Sequence, residues 1–88
     1  MFQPYVIGGL YQIRTVTHIV TGKVLEVGEA EIVLAEAAWI ADTGRFTQAV
    51  EKAQYDEVEP YPADKKLIVG RLTVVDAVEI PALPRDQK

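Results

Sequence analysis

The 88-residue sequence contains no cysteine, no serine and no asparagine, and its single histidine is His18. The lack of cysteine excludes disulfide bonds, thiolate metal sites and a cysteine nucleophile. The lack of serine removes the usual nucleophile of hydrolytic triads, and one histidine is too few for most zinc sites. We therefore expect a protein that is not an enzyme and needs no metal or cofactor. We interpret His18 as a surface or strand-end residue.

Positive charge is also scarce in this chain. Nine Lys and Arg residues are scattered among thirteen Asp and Glu residues, which gives a net charge of −4. A broad grip on duplex nucleic acid usually requires clustered basic residues, so we do not expect it, although a narrow basic site remains compatible with this charge. No apolar run approaches the roughly 20 residues that a transmembrane helix needs. The sequence predicts no membrane contact and a cytoplasmic location.

What the chain has in abundance is β-branched residues: twelve Val, seven Ile and six Thr. Such residues favour strands. The predicted strands cover residues 10–17, 18–27, 30–37, 66–76 and 77–80. The first three are joined by such short links that they must form an antiparallel meander. Gly22 lies inside the second strand, and we interpret it as the point where that strand bends.

The middle of the chain has a helical pattern. Apolar residues recur there with the spacing of one helix face, at Phe46, Ala49, Val50 and Ala53. This spacing predicts a helix over residues 43–53, with Asp42 or Thr43 as its N-terminal cap. The acidic stretch 56–64, which contains two prolines, is predicted to be a loop.

Five short strands and one helix are too few for a large flat sheet that is covered on both faces. We therefore expect a mainly β fold, in which a strongly bent five-stranded antiparallel sheet forms a small barrel with one short helix between strands 3 and 4. Residues 1–88 would form this single domain. Within it, residues 38–65 would be a helix-containing insertion, and residues 81–88 would be a frayed tail.

Two aromatic and three basic residues are candidates for a site. Trp39 follows the third strand in an alanine-rich stretch, and Trp39 and Phe46 are interpreted as interface residues, with ligand stacking by Trp39 as the alternative. Arg45 and Arg71 each lie beside a glycine, where a turn can project a guanidinium group. Together with Lys23 they are candidate contacts to nucleic acid or another ligand, and solvated surface residues are the alternative.

Three segments carry patterns found in known proteins. Residues 21–37 (TGKVLEVGEAEIVLAEA) combine a strand glycine, alternating apolar positions, a tight turn and a second alternating strand. Residues 68–75 (IVGRLTVV) combine a short apolar strand with glycine and arginine. The two segments resemble the two motifs of the Sm-like (LSm/Hfq-type) family, in the same order. Residues 38–46 (AWIADTGRF) also resemble a block in small phage-encoded proteins, some of which adopt Sm-like barrels.

The resemblance to Sm-like proteins implies a small barrel that forms a cyclic homo-oligomer by pairing its fourth strand with the fifth strand of a neighbour. It also implies RNA binding, with Arg71 in the basic role of the second motif. The Asp and Asn that hold the base in that family are not matched by the turn at residues 28–31, which reads GEAE. We therefore expect an oligomeric ring protein of undefined role and of phage or prophage origin. An RNA or single-stranded nucleic-acid-binding module and a protein–protein adaptor are the alternatives.

Overall fold

Strands dominate the computed structural model, which describes residues 3–88. The strands are β1 (Leu10–Thr15), β2 (Ile19–Val27), β3 (Glu31–Asp42), β4 (Glu57–Pro60), β5 (Lys66–Gly70) and β6 (Val74–Glu79). The helix α1 spans Phe46–Lys52, and a 3₁₀ turn at Arg71–Thr73 separates β5 from β6. The prediction of a mainly β, antiparallel fold with one short helix is confirmed. The predicted number of five strands is wrong, because the described residues form six.

The long strand β3 organises the sheet. Its first half pairs with β5 and its second half pairs with β4, while β2 lies along its other side. The strand order is β4-β3-β2-β1-β6, with β5 beside β3, and every pairing is antiparallel. Within residues 3–88, β5 and β6 form no ladder with each other. The sheet is therefore not closed, and the predicted barrel is not confirmed.

A bulge interrupts the pairing of β2 with β3 at Gly22. Thr21 pairs with Ala38 and Lys23 pairs with Ala35, so that Gly22 faces two residues of β3 instead of one. One of them, Glu36, has a φ of 50°, in the left-handed region. A Cβ atom on Gly22 would lie only 2.9 Å from the Cβ of Leu34. The site therefore requires glycine, in line with its interpretation as the bend of β2.

The extra residue in this bulge creates two cores, because it reverses which side chains of β3 face each side of the sheet. Before the bulge, Ile32 and Leu34 face the first core; after it, Ala38 and Ile40 face the opposite side, where they pack with Ala49 of α1 and Val58 of β4. The first core consists of Tyr11, Ile13, Val20, Val24, Ile32, Leu34, Ala37 and Val69. The second consists of Ala38, Ile40, Ala49, Tyr55 and Val58.

The helix is shorter than predicted and lacks the predicted cap. Arg45 occupies the N-cap position without a side-chain hydrogen bond, while Oδ1 of Asp42 accepts a hydrogen bond from the Gly44 N–H at 2.8 Å. A seven-residue helix is not stable alone, and α1 persists because Ala49 is buried in the second core. No helix in the described chain has the length and apolar character needed to cross a bilayer.

The acidic stretch 56–64, predicted to be a loop, contains β4. Val58 is fully buried, and the flanking Glu57 and Glu59 are exposed, as in a strand with one covered face. Pro60 is compatible with this assignment because it lies at the end of the strand. The carboxylates and prolines of this stretch are typical of a loop, and they led to the wrong prediction for a short strand that has a single buried side chain.

Residues 81–88, predicted to be a frayed tail, are fixed against β4. Val58 and Lys88 exchange two backbone hydrogen bonds, with N–H to O distances of 3.1 and 3.0 Å. The Arg85 guanidinium donates to the carbonyl oxygens of Ala37 at 2.6 Å and of Tyr61 at 2.8 Å. The segment is ordered because it pairs with the outer edge of β4, which would otherwise be exposed.

Candidate functional site

Each of the three basic candidates lies in a different local setting. Lys23 in β2 approaches Glu36, with 3.6 Å between Nζ and Oε2. Arg71 in the 3₁₀ turn donates from Nη1 to the carbonyl oxygen of Gly28 at 2.8 Å. Arg45 lies immediately before α1 and is exposed. All three are therefore engaged locally or point into solvent.

The structure does not bring these three residues together. Lys23 pairs with Ala35, whereas the backbone N–H of Arg71 bonds to Ala30, five residues away along the chain. This separation corresponds to about 16 Å along an extended strand. Arg45 lies beyond the opposite end of β3. The three do not form a common basic surface.

Trp39 lies where the face of the first core opens to solvent. It is directly opposite Val20 on β2 and Glu59 on β4, and directly paired residues share one face of a sheet. Val20 is fully buried, whereas Trp39 is 44% exposed. Phe46, the second candidate interface residue, begins α1 and is 50% exposed. Trp39 lines two cavities, and Phe46 lines neither of them.

The side chains around Trp39 form what we call the three-ring pocket, which consists of Thr17, His18, Trp39 and Tyr61 and has a volume of about 300 Å³. Thr17 and His18 come from the turn between β1 and β2, and their Oγ1 and Nδ1 atoms lie 2.7 Å apart. Tyr61 follows β4, and its backbone N–H donates to the carbonyl oxygen of Ala37 at 2.9 Å. Three of the four residues that line this opening thus carry an aromatic ring.

Two larger grooves adjoin this pocket. One, of about 390 Å³, lies between the β1–β2 turn and β5, and exposed Val16 and Ile68 line it. The other, of about 440 Å³, continues past Trp39 to Ala41 and Arg14. The Arg14 guanidinium is bound to the carboxylate of Asp76. The surface suits binding of an extended, partly apolar segment.

The sequence identified Trp39 and offered Tyr61 as an apolar anchor of the adaptor alternative, but it did not predict that His18 and Tyr61 lie beside Trp39. His18 and Tyr61 approach Trp39 because Ile19 pairs with Ile40 and because Pro60 pairs with Ala38. The first pairing belongs to a hairpin that the sequence predicted, although its register was not known. The second involves β4, which was predicted to be a loop.

A second feature is the pair of strand edges that remain unpaired in residues 3–88. The bond from the Arg71 N–H to the Ala30 carbonyl sets the alternation along β5, so that the backbone groups of Ile68 face away from β3. The hydrogen bond from the Ile80 N–H to the Leu10 carbonyl sets the alternation along β6 in the same way, so that the backbone groups of Ala77 and Glu79 face away from β1. By the same alternation, Lys66 and Gly70 face outward on β5.

Apolar surface accompanies both edges. Ile68 on β5 is 61% exposed, Val75 on β6 is 61% exposed, and Leu72 between them is 96% exposed. Beside β6 lies a cavity of about 500 Å³, lined by Pro4, Tyr5, Tyr11 and Val74–Glu79. The rings of Tyr5 and Tyr11 meet edge to face, with centroids 5.4 Å apart. Burial raises the pKa of Tyr5, while the Arg71 charge opposes this shift.

The most buried titratable group lies away from both features. Tyr55, in the second core, is 1% exposed, and burial raises its pKa to about 12. Its hydroxyl is enclosed by the core and, within residues 3–88, reaches only the Gln12 side chain, so it is placed for stability rather than for reaction with a ligand. No three side chains of His, Asp or Glu converge as metal ligands in the part of the chain that the structure describes.

Comparison of this chain with protein-family models, with curated proteins and with solved structures gives no match. The three-ring pocket and the two strand edges are therefore the features of the molecule that indicate a function.

Proposed function

We propose that this protein is a non-enzymatic, Sm-like assembly module that forms a cyclic homo-oligomer by joining the free edge of β5 to the free edge of β6 in a neighbouring copy. The observation that supports this proposal is that both edges present outward-facing backbone groups together with exposed aliphatic side chains. Such edges are templates for pairing with another chain. Because the two edges differ, joining them is a head-to-tail contact, which produces a ring when the rotation closes.

Strand order supports the Sm-like assignment. β4 lies within the 38–65 insertion, so β5 and β6 are the fourth and fifth strands of the remaining sheet. β6 returns after the 3₁₀ turn to pair with β1. The resemblance to Sm-like proteins assigns the contact between neighbours to these two strands, and their outer edges are the ones left unpaired here.

The alternation of backbone groups suggests a register for this contact. In an antiparallel pairing, outward-facing Ile68 would lie opposite outward-facing Ala77, and Lys66 would then lie opposite Glu79. The backbone groups that pair with β3 and β1 within each copy would remain in place. A cation and an anion would face each other at one end of the joint.

This register also places the Ile68 side chain against an apolar surface. Ala77 pairs with Ile13 and packs against the first core, so a residue directly opposite it would share that face. The cavity lined by Tyr5 and Tyr11 lies beside this part of β6. Ile68 of one copy would cover apolar surface of the next.

The test is the solution mass of the full chain, measured by multi-angle light scattering over a range of concentrations. We expect one oligomer whose mass is an integer multiple of the 9.7 kDa chain. A monomer at all concentrations up to the millimolar range would overturn the proposal.

A variant pair locates the contact. Ile68→Pro removes an N–H that faces away from β3, so it should abolish the oligomer while the intrachain ladder remains. Ile68→Thr shortens the aliphatic side chain but keeps the N–H, and it should retain an oligomer with weaker association. Circular dichroism checks that both variants remain folded. A folded Ile68→Pro variant with the unchanged oligomer mass would contradict the β5 edge as the contact.

A nucleic-acid-binding role has less support, because the three basic candidates are dispersed over the fold. The adaptor alternative is favoured by one specific observation, the three-ring pocket, which is independent of self-assembly.

A further inference from the structure

We infer that the three-ring pocket binds a basic side chain of a protein partner. The pocket combines an indole, a phenol and an imidazole ring around one opening of about 300 Å³. A lysine or arginine head group over the face of such rings is attracted by their quadrupoles, most strongly by that of tryptophan. The chain contains one Trp and one His, and both line this opening.

The charges around the pocket favour a cation over a phosphate. Glu59 lies directly opposite Trp39 on the adjacent strand, and therefore on the same face, with a usual Cβ separation of about 5 Å. Glu59 is exposed; its Oε1 accepts a hydrogen bond from Gln87 Nε2 at 3.5 Å, and neither of the two ion pairs within residues 3–88 includes it. A carboxylate on this face without an ion-pair partner attracts a basic head group and repels a nucleotide.

Two nearby cations are already engaged. Arg14, which lines the adjoining groove, binds Asp76. Arg85, behind Tyr61, donates to two backbone carbonyls. The whole chain carries a net charge of −4. Electrostatic complementarity therefore selects a basic partner segment.

The groove past Trp39 provides room for the residues beside that basic side chain. It is about 440 Å³ and is lined by apolar Val16, Ile19 and Ile40 together with polar Thr15 and Thr17. A short extended segment could thus place its charged head between the rings and its neighbouring residues along this groove.

Trp39 is the only tryptophan, so its fluorescence reports directly on this pocket. We would titrate the protein with a blocked Gly-Lys-Gly peptide, with its norleucine counterpart and with uridine monophosphate. We expect saturable binding of the lysine peptide that is about two- to fivefold tighter than that of the norleucine peptide. This difference should shrink at high salt. Equal affinity for the two peptides, tighter binding of the nucleotide, or no saturable signal with any probe would overturn the inference.

Two matched variants test the role of the carboxylate. Glu59→Gln should remove most of the preference for lysine over norleucine, and Glu51→Gln on α1 should leave it unchanged. Both variants remove one negative charge, and both positions are exposed, so folding should be preserved. An unchanged preference in Glu59→Gln, or an equal loss in Glu51→Gln, would contradict the placement of the cation beside Trp39.

Discussion

Tyr55 donates a hydrogen bond from its hydroxyl to Oε1 of Gln12 at 3.0 Å, although the two residues are 43 positions apart in the chain. Both side chains are at most 1% exposed. Gln12 pairs with Thr21 across β1 and β2, so this face of the central sheet carries a polar layer inside the second core. Within residues 3–88, Gln12 Nε2 and Thr21 Oγ1 have no hydrogen-bond partner. The Tyr55 bond thus connects the segment after α1 to the middle of the sheet and satisfies part of that layer.

Removing the Tyr55 hydroxyl should destabilise the fold. Tyr55→Phe leaves Gln12 Oε1 buried without a partner, which should lower the free energy of unfolding by about 1–3 kcal/mol. Combining it with Gln12→Leu removes both partners, so the loss in the double variant should be smaller than the sum of the single losses. Urea denaturation measures all four proteins. Additive losses would show that the bond contributes nothing specific.

The same residue predicts a dependence of stability on alkaline pH. Burial raises the pKa of Tyr55 to about 12, from 10.0, so the folded chain keeps a proton that the unfolded chain loses above pH 10. The free energy of unfolding should therefore fall between pH 10 and 12, by up to about 1.4 kcal/mol per pH unit from this group. In Tyr55→Phe this fall should be shallower. Urea denaturation at pH 9 and pH 11 measures this fall in the free energy of unfolding. An equal fall in the wild-type protein and in Tyr55→Phe would argue against a buried neutral phenol.

Substitution of Gly22 should be far more harmful than substitution of Gly70. The Cβ of Gly22→Ala would lie 2.9 Å from the Leu34 Cβ, within the bulge, and should cost about 1–3 kcal/mol. At Gly70 a Cβ would meet nothing closer than 3.6 Å, and φ is −65°, so Gly70→Ala should be neutral or slightly stabilising. Thermal and urea unfolding compare the two. Equal losses would mean that Gly22 is not a point of close approach.

The proposed register between copies predicts a charge-swap effect. Lys66→Glu would place two carboxylates at one end of the joint and should weaken assembly, because Glu79 lies opposite in this register. Adding Glu79→Lys reverses both charges and should restore assembly. Sedimentation velocity at low and at high salt measures the association. If both variants are folded and the double variant does not regain association, this register is excluded. The contact between the β5 and β6 edges would still be tested separately by Ile68→Pro.

Arg85 should hold the C-terminal segment and Tyr61 in place. Arg85→Ala removes two charge-assisted hydrogen bonds to carbonyl groups and should lower the free energy of unfolding by about 1–3 kcal/mol. Arg85→Lys should recover only part of this, because a lysine cannot donate in the same two-pronged geometry. Amide hydrogen exchange at Val58 and Lys88 should become faster in the alanine variant. Unchanged exchange would show that the segment is held without Arg85.

Local sequence patterns were sufficient to predict the structure where it depends on residues that are close together in the chain. The antiparallel meander followed from alternating apolar residues and short links, and the helix from the spacing of Phe46 and Ala49. Trp39 was identified because it stands out in an alanine-rich stretch. The same reasoning failed at Val58, since one buried side chain between two glutamates is too weak a signal for a strand.

The sequence by itself therefore determined the fold class and the positions of most strands, because strand propensity and alternation are properties of consecutive residues. Only the tertiary structure decided which residues meet. The bulge opposite Gly22 reversed the faces of β3 and created a second core, and the register of β2, β3 and β4 brought His18 and Tyr61 to Trp39. These outcomes depend on contacts between distant segments, whose register is set by packing on both sides of the sheet and is not visible within any one strand.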